Sequence, residues 1–299
     1  MRGAVKVHHR SDSLTVYEAF SPDRVGLGAW RTMLEELWRY RELVRRLVIR
    51  GVAGQFRQSF LGYVWIALPP LAITVVFTLL RRAQVVNVPL EGYRMPYAVF
   101  ALVGTTLWGL FAQVTTMATT SIANAGPLVT RIYFPREVVV LSSVGNALVN
   151  FGIRLVVVAL TMLLIGFHPP LSALWALVWV VPLFAFALGL GFVFAPINTM
   201  MRDMSRILEF SFQFGMLLAP TVIATPQLVP GISRSQLALY WIHNLNPVSH
   251  FIQIIDRVID GGPMVIDNGL AAATGIAFLV LGVGWRIFHV CEPLLAERL

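Results

Sequence analysis

Six long apolar runs, separated by charged or proline-marked links, constrain this chain more than any other feature. A helix that crosses the hydrocarbon core of a bilayer needs about 20 predominantly apolar residues. Six stretches reach that length: Gly62–Leu80, Tyr97–Ala118, Val138–Phe167, Leu171–Ile197, Ile207–Ala224 and Gly269–Val290. With 57% hydrophobic and only 13% charged residues among 299, the chain is too apolar for a soluble domain of its size. The fold class expected is an all-α polytopic membrane protein with six transmembrane helices and both termini on one side.

Arginines near the span ends indicate which side. One face collects Arg45, Arg46, Arg50, Arg57, Arg131, Arg136, Arg202 and Arg206, against Arg81, Arg82, Arg94, Arg234 and Arg257 on the other. The larger set places the termini in the cytoplasm. Residues 1–60 contain no uninterrupted apolar stretch ahead of a small-residue cleavage site, so no signal peptide is expected. The formal charge of +8 sits mainly on arginines outside the spans, which suits anionic lipid headgroups rather than nucleic acid. The lone cysteine, Cys291, excludes an intrachain disulfide framework.

Along the chain, residues 1–29 form a polar tail. From Trp30 to Arg50 the pattern turns amphipathic: Trp30, Met33, Leu34, Leu37, Trp38, Val44, Leu47 and Val48 share one side at 100° per residue, and arginines and glutamates take the other. Arg41 and Arg45 lie near the apolar stripe, as a membrane-surface helix tolerates. An amphipathic interface helix is expected over 30–58. Pro69-Pro70 interrupts the first span by removing backbone hydrogen bonds, as a simple kink or as a functional break. The link Ala195–Phe210 spaces Asn198, Arg202, Asp203, Arg206 and Glu209 helically and reads as solvated. Between Thr225 and Asn268, apolar pieces of ten to fourteen residues alternate with Pro and Gly, too short to span and fit for re-entrant or interfacial placement.

Lys6 is the only lysine, so the chain holds no phosphate-binding G-x-x-x-x-G-K-[ST] loop. It has no H-E-x-x-H, C-x-x-C or G-x-S-x-G either, and His8 and His9 stand without a second ligand pair. No catalytic residue, metal ligand or cofactor is therefore assigned within it. Asp256 and Asp260, at i and i+4, read as a solvated face rather than an acid–base pair. A membrane glycosyl- or acyltransferase would need acidic or histidine clusters at a membrane face, and the sequence displays none. Arg154 falls roughly 24 Å along its helix from Val138, deep in the third span. An intramembrane arginine serves either a structural pair or a polar pathway, and both remain open.

Taken together, "QFRQSFLGYVWIALPPL", "TRIYFPREVVVLSS", "INTMMRDMSRILEF" and "LNPVSHFIQIIDRVI" resemble the membrane subunit of the ABC-2 polysaccharide exporters, which move O-antigen and teichoic acid chains. The resemblance runs from about Arg45 to Val290. Its strongest marks are Arg57, Leu61, Gly62 and Trp65 before the first span, and the Y-F-P-R-E link. Two departures stand out: Asn150 in "LVNFGIR", where family members often carry Asp, and a long N-terminal tail.

The resemblance implies a homodimer of this chain with two cytoplasmic ATPase subunits, which bind the ATP and Mg. It implies export of a lipid-diphosphate-linked polysaccharide across the bacterial cytoplasmic (inner) membrane, with a drug or lipid exporter of the same class as the alternative. It implies an ABC-2 type transmembrane domain over 59–299, with a coupling helix about 126–137 and re-entrant extracytoplasmic helices about 225–268. Within that frame Ile132, Tyr133 and Phe134 form an apolar plug for a groove on the ATPase. Arg131, Arg136 and Glu137 offer charged hydrogen bonds at its rim, and Pro135 sets the direction into the next span. Arg50 and Arg57 would meet the lipid diphosphate. Tyr63, Trp65, Phe77, Trp108 and Phe111 are the aromatic candidates for lining a sugar path.

Overall fold

The computed structural model describes residues 29–55, 59–85, 90, 92–131, 135–228, 230 and 232–297, and ten α-helices are found among them. They are α1 (Ala29–Arg39), α2 (Arg41–Gln55), α3 (Val64–Arg82), α4 (Tyr97–Arg131), α5 (Glu137–Ile165), α6 (Ala176–Met200), α7 (Asp203–Gly215), α8 (Arg234–Leu245), α9 (Pro247–Ile259) and α10 (Asn268–Glu297). Helix α4 is the central post, packed by α3, α5, α6, α7 and α9, with α10 laid against α6. Along α4, Val99, Phe100, Leu102, Leu107, Leu110 and Val114 are all buried.

Among the described residues, five helical segments are long and apolar enough to cross a membrane: Val64–Arg82, Tyr97–Ala125, Glu137–Ile165, Leu171–Met200 and Asn268–Glu292. The fifth expected span, Ile207–Ala224, is not one continuous helix. Helix α7 stops at Gly215, a 3-10 turn covers Met216–Leu218, and irregular backbone follows around Pro220. Proline cannot donate to a continuing helix. The freed groups are satisfied internally: Thr221 Oγ1 donates to Met216 O at 2.7 Å, and Tyr97 Oη donates to Val222 O at 2.8 Å. Residues 219–222 are buried. Irregular backbone of this kind is tolerated at membrane depth only where protein encloses it.

Two other elements differ from expectation. The amphipathic segment bends at Tyr40 into α1 and α2, although backbone bonds Tyr40 N to Glu36 O (3.0 Å) and Val44 N to Tyr40 O (3.1 Å) bridge the bend. Helix α4 continues to Arg131, so residues 126–131 are its last turns rather than part of a separate short helix. Along its polar stretch the hydroxyls are satisfied on the preceding turn, Thr115 Oγ1 donating to Phe111 O and Thr120 Oγ1 to Thr116 O, both at 2.9 Å.

The double proline does not end α3, which runs through Pro69 and Pro70. At its far end Arg81 and Arg82 occupy the last turn, where cations favour the helix dipole, and the Arg81 guanidinium lies 4.9 Å from the Tyr97 ring centroid. At that same end of the bundle are α8 and α9, each too short to span. Ser233 caps α8 through a reciprocal bond pair with Gln236, and Asn246 caps α9 ahead of Pro247. Val248, Phe251, Ile252, Ile255 and Val258 bury one face of α9.

The reading of Asp256 and Asp260 as a solvated face does not hold. Asp260 accepts from the backbone amides of Arg94 (2.8 Å) and Met95 (2.6 Å), pinning the approach to α4. Asp256 is fully buried, and neither of its carboxylate oxygens has a hydrogen-bond partner among the described residues. Burial, with Asp260 adding to it, raises its carboxyl well above the usual aspartate range. Helical spacing groups the two aspartates, but the turn of α9 toward the core decides what they meet.

Candidate functional site

The link between α4 and α5 meets the last turns of α10 at the end of the bundle that carries α1 and α2. Pro135 is buried, Arg136 precedes the first turn of α5, and Glu137 opens that helix, where the dipole favours an acidic side chain. His289 Nδ1–H donates to Glu137 Oε1 at 2.8 Å, joining residues 152 positions apart. One turn along α10, Glu292 Oε1 accepts from the Arg136 backbone amide at 3.2 Å. The Arg136 guanidinium donates in turn to the Glu292 backbone carbonyl. That bond sets a cation near the negative end of α10, where Glu292 alone would be unfavourable.

Glu137, His289 and Glu292 are 2%, 4% and 8% exposed. Carboxylates this deep need hydrogen-bond partners; in this clasp Glu137 Oε1 has the His289 imidazole and Glu292 Oε1 has the Arg136 amide. Removing one partner would strand a buried charge, so the arrangement resists separation of α5 from α10.

Helices α1 and α2 seat on the same two elements. Val48 of α2 fills the space in front of Gly145 on α5; a Cβ added at Gly145 would lie 2.4 Å from Val48 Cγ2. On α1, Met33 is 1% exposed and Trp30 meets Trp285 of α10 edge-on, with ring centroids 5.7 Å apart. Trp285 stacks on Phe192 of α6. The α4–α5 link is thus in contact with α10, and α5 with α2.

Of the residues singled out in the sequence, Ile132, Tyr133, Phe134 and Arg57 lie outside the described residues, and Arg131 is described by its backbone alone. Arg50 is exposed on α2. Two turns earlier on the same helix, Glu42 has its carboxyl lowered, chiefly by a hydrogen bond from Arg46.

The aromatic candidates separate. Tyr63 and Trp65 are exposed at the start of α3, and Phe77 is half-buried. Trp108 and Phe111 are packed inside the single chain. The Trp108 indole donates to Phe212 O at 3.0 Å, and the Phe111 ring stacks on Phe186 and meets Phe212 edge-on. An exposed pair that the sequence reading passed over, Phe210 and Phe214, sits one turn apart on α7 with centroids 4.8 Å apart.

Arg154 reaches α3. Its Nε–H donates to Ile66 O at 3.3 Å. In a regular helix that carbonyl would accept from residue 70, which is proline and has no N–H. The guanidinium passes over Gly109, where an added Cβ would lie 2.5 Å from Nη1.

His289 and Glu292 were also passed over. Their only sequence signal is two titratable groups at i and i+3 at the end of an apolar run, which most spans of this composition would place at a headgroup layer.

A bundle of long apolar helices around a buried post, with amphipathic helices bound to one end, defines a polytopic membrane protein. Residues 42–258 match the family model described as "ABC-2 type transporter", and the chain belongs to that family. Among known proteins, the O-antigen export system permease protein RfbA of Myxococcus xanthus is 29% identical over 272 residues, covering 89% of this chain and 99% of that one. The protein of the same name from Klebsiella pneumoniae is 26% identical over 255 residues, covering 82% and 90%.

Proposed function

We propose that this chain is the transmembrane subunit of an ATP-driven exporter that moves lipid-linked polysaccharide, of O-antigen or teichoic-acid type, across the bacterial cytoplasmic membrane. The observation that carries this reading is the near full-length similarity to two permeases named for O-antigen export. An exporter of a drug or small lipid is not favoured by those names.

In this reading two copies of the chain pair with two cytoplasmic ATPase subunits, and the ATP and Mg are held by those partners. The termini, α1, α2 and the α4–α5 link face the cytoplasm; α8 and α9 lie at the opposite face as re-entrant elements. Closure of the ATPase pushes on Arg131–Glu137, with Ile132, Tyr133 and Phe134 seated in its groove. The buried clasp supports a coupling role, because Arg136 and Glu137 are tied to α10 through Glu292 and His289. The push then moves α5 and α10 together. Arg50 and Arg57 receive the lipid diphosphate beside the first span. Exposed Tyr63 and Trp65 offer faces over which sugars slide, since stacking demands no single hydrogen-bond pattern.

Deletion of the gene tests the substrate class: lipid-linked polymer accumulates inside the cell and surface glycan is lost. Unchanged surface glycan overturns it. In a strain complemented with Tyr133→Ala plus Phe134→Ala, the complex still hydrolyses ATP but export stops. Full export by that variant refutes the coupling role.

A further inference from the structure

We propose that Glu137, His289 and Glu292 form a binding site for one divalent transition-metal ion, of the zinc type, at the junction of α5 and α10. One ligand atom from each residue lies within 4.8 Å of the others, and all three residues are buried. An imidazole nitrogen with two carboxylate oxygens is a donor set that zinc and its first-row neighbours accept.

A second observation points to a ligand. Glu137 Oε2 is buried on a side chain only 3% exposed, yet it has no hydrogen-bond partner among the described residues, while its sister oxygen holds His289. A native buried carboxylate oxygen is rarely left so, and an ion is one of the standard explanations.

The geometry requires little movement. With metal–ligand bonds of about 2.0–2.2 Å, the ligand atoms of a tetrahedral ion stand about 3.4 Å apart. The 2.8 Å His289–Glu137 contact must therefore open by about 0.6 Å. The widest separation in the trio must close by less than about 1.5 Å, within reach of glutamate rotamers. The Arg136 amide already holds Glu292 Oε1 from behind, as an outer hydrogen bond does to a metal-binding carboxylate. A bound ion would fasten the α4–α5 link to α10 more firmly than the hydrogen bond alone.

The site stands on the cluster itself, whatever the exporter carries, and its test uses no transport readout. The full chain, purified in detergent without an affinity tag and with His8 and His9 replaced by Ala, is stripped with chelator and titrated with cobalt(II), then zinc. The expected result is one ion per chain, a visible cobalt band of low-coordinate type that zinc abolishes, and a raised unfolding temperature with zinc. Glu137→Gln and His289→Gln should each lose at least tenfold in affinity. His289→Asp, which keeps a metal ligand but cannot donate to Glu137, should be unstable when stripped and recover with metal. Equal metal content in wild type and His289→Gln, or no zinc effect on the stability of wild type and His289→Asp, overturns the proposal.

Discussion

Arg154 donates its Nε–H to the carbonyl of Ile66, an acceptor that Pro70 leaves without its helical partner. An arginine and a double proline, both costly in a membrane span, thus offset each other across 88 positions of sequence. An unmet carbonyl in an apolar site costs about 1–3 kcal/mol, which is what the arginine relieves.

The expected consequence is a coupled pair. Arg154→Met should lower the thermal stability of the purified protein, and the loss should shrink when Pro70→Ala restores an N–H for Ile66 O. A double-mutant cycle with a coupling of about 1 kcal/mol or more supports the pairing. Additive effects would mean that Arg154 acts elsewhere.

Gly145 sets how closely α2 approaches α5. Gly145→Val should destabilise by about 1–3 kcal/mol through overpacking against Val48. Val48→Ala in the same chain should return most of the loss. Unfolding temperatures of the single and double variants read this directly, and limited proteolysis of α1 and α2 should follow the same order.

Two buried groups at the α8–α9 end give pH effects of opposite sign. His243 is fully buried, hydrogen-bonded through Nδ1 to Thr225 Oγ1 at 2.9 Å, and pushed down to about 4 by desolvation. Its contribution is present above pH 6.5 and lost as pH falls toward 4, on the order of 3 kcal/mol in full. Asp256 is raised, so its contribution is full below the ordinary aspartate value and is lost as pH rises through the folded one. His243→Asn should flatten the acid limb of a stability–pH profile. Asp256→Asn should stabilise increasingly toward alkaline pH. An unchanged profile in either variant removes the group from the account.

Apolar periodicity was enough to locate α3, α4, α5, α6 and α10, because lipid imposes its own length on any helix that crosses it. It failed at Ile207–Ala224, where composition is apolar throughout but Gly215 and Pro220 break the helix and the core absorbs the irregular backbone. It failed again at Asp256, whose charge reads as solvated until α9 is turned toward α4. The α4–α5 link stood out through its charges and aromatics. Its partners His289 and Glu292 did not, since each is an ordinary residue at a helix end.

The chain's residues determine, unaided, that it lives in a membrane, where most of its long helices lie and which family motifs it carries. These are local properties, set by runs of apolar side chains and short motifs. The clasp of Glu137 on His289 and the service of Arg154 to Ile66 belong to the tertiary structure. Each needs two distant helices at one depth and one rotation, and only close packing at points such as Gly145 and Gly109 sets those two variables.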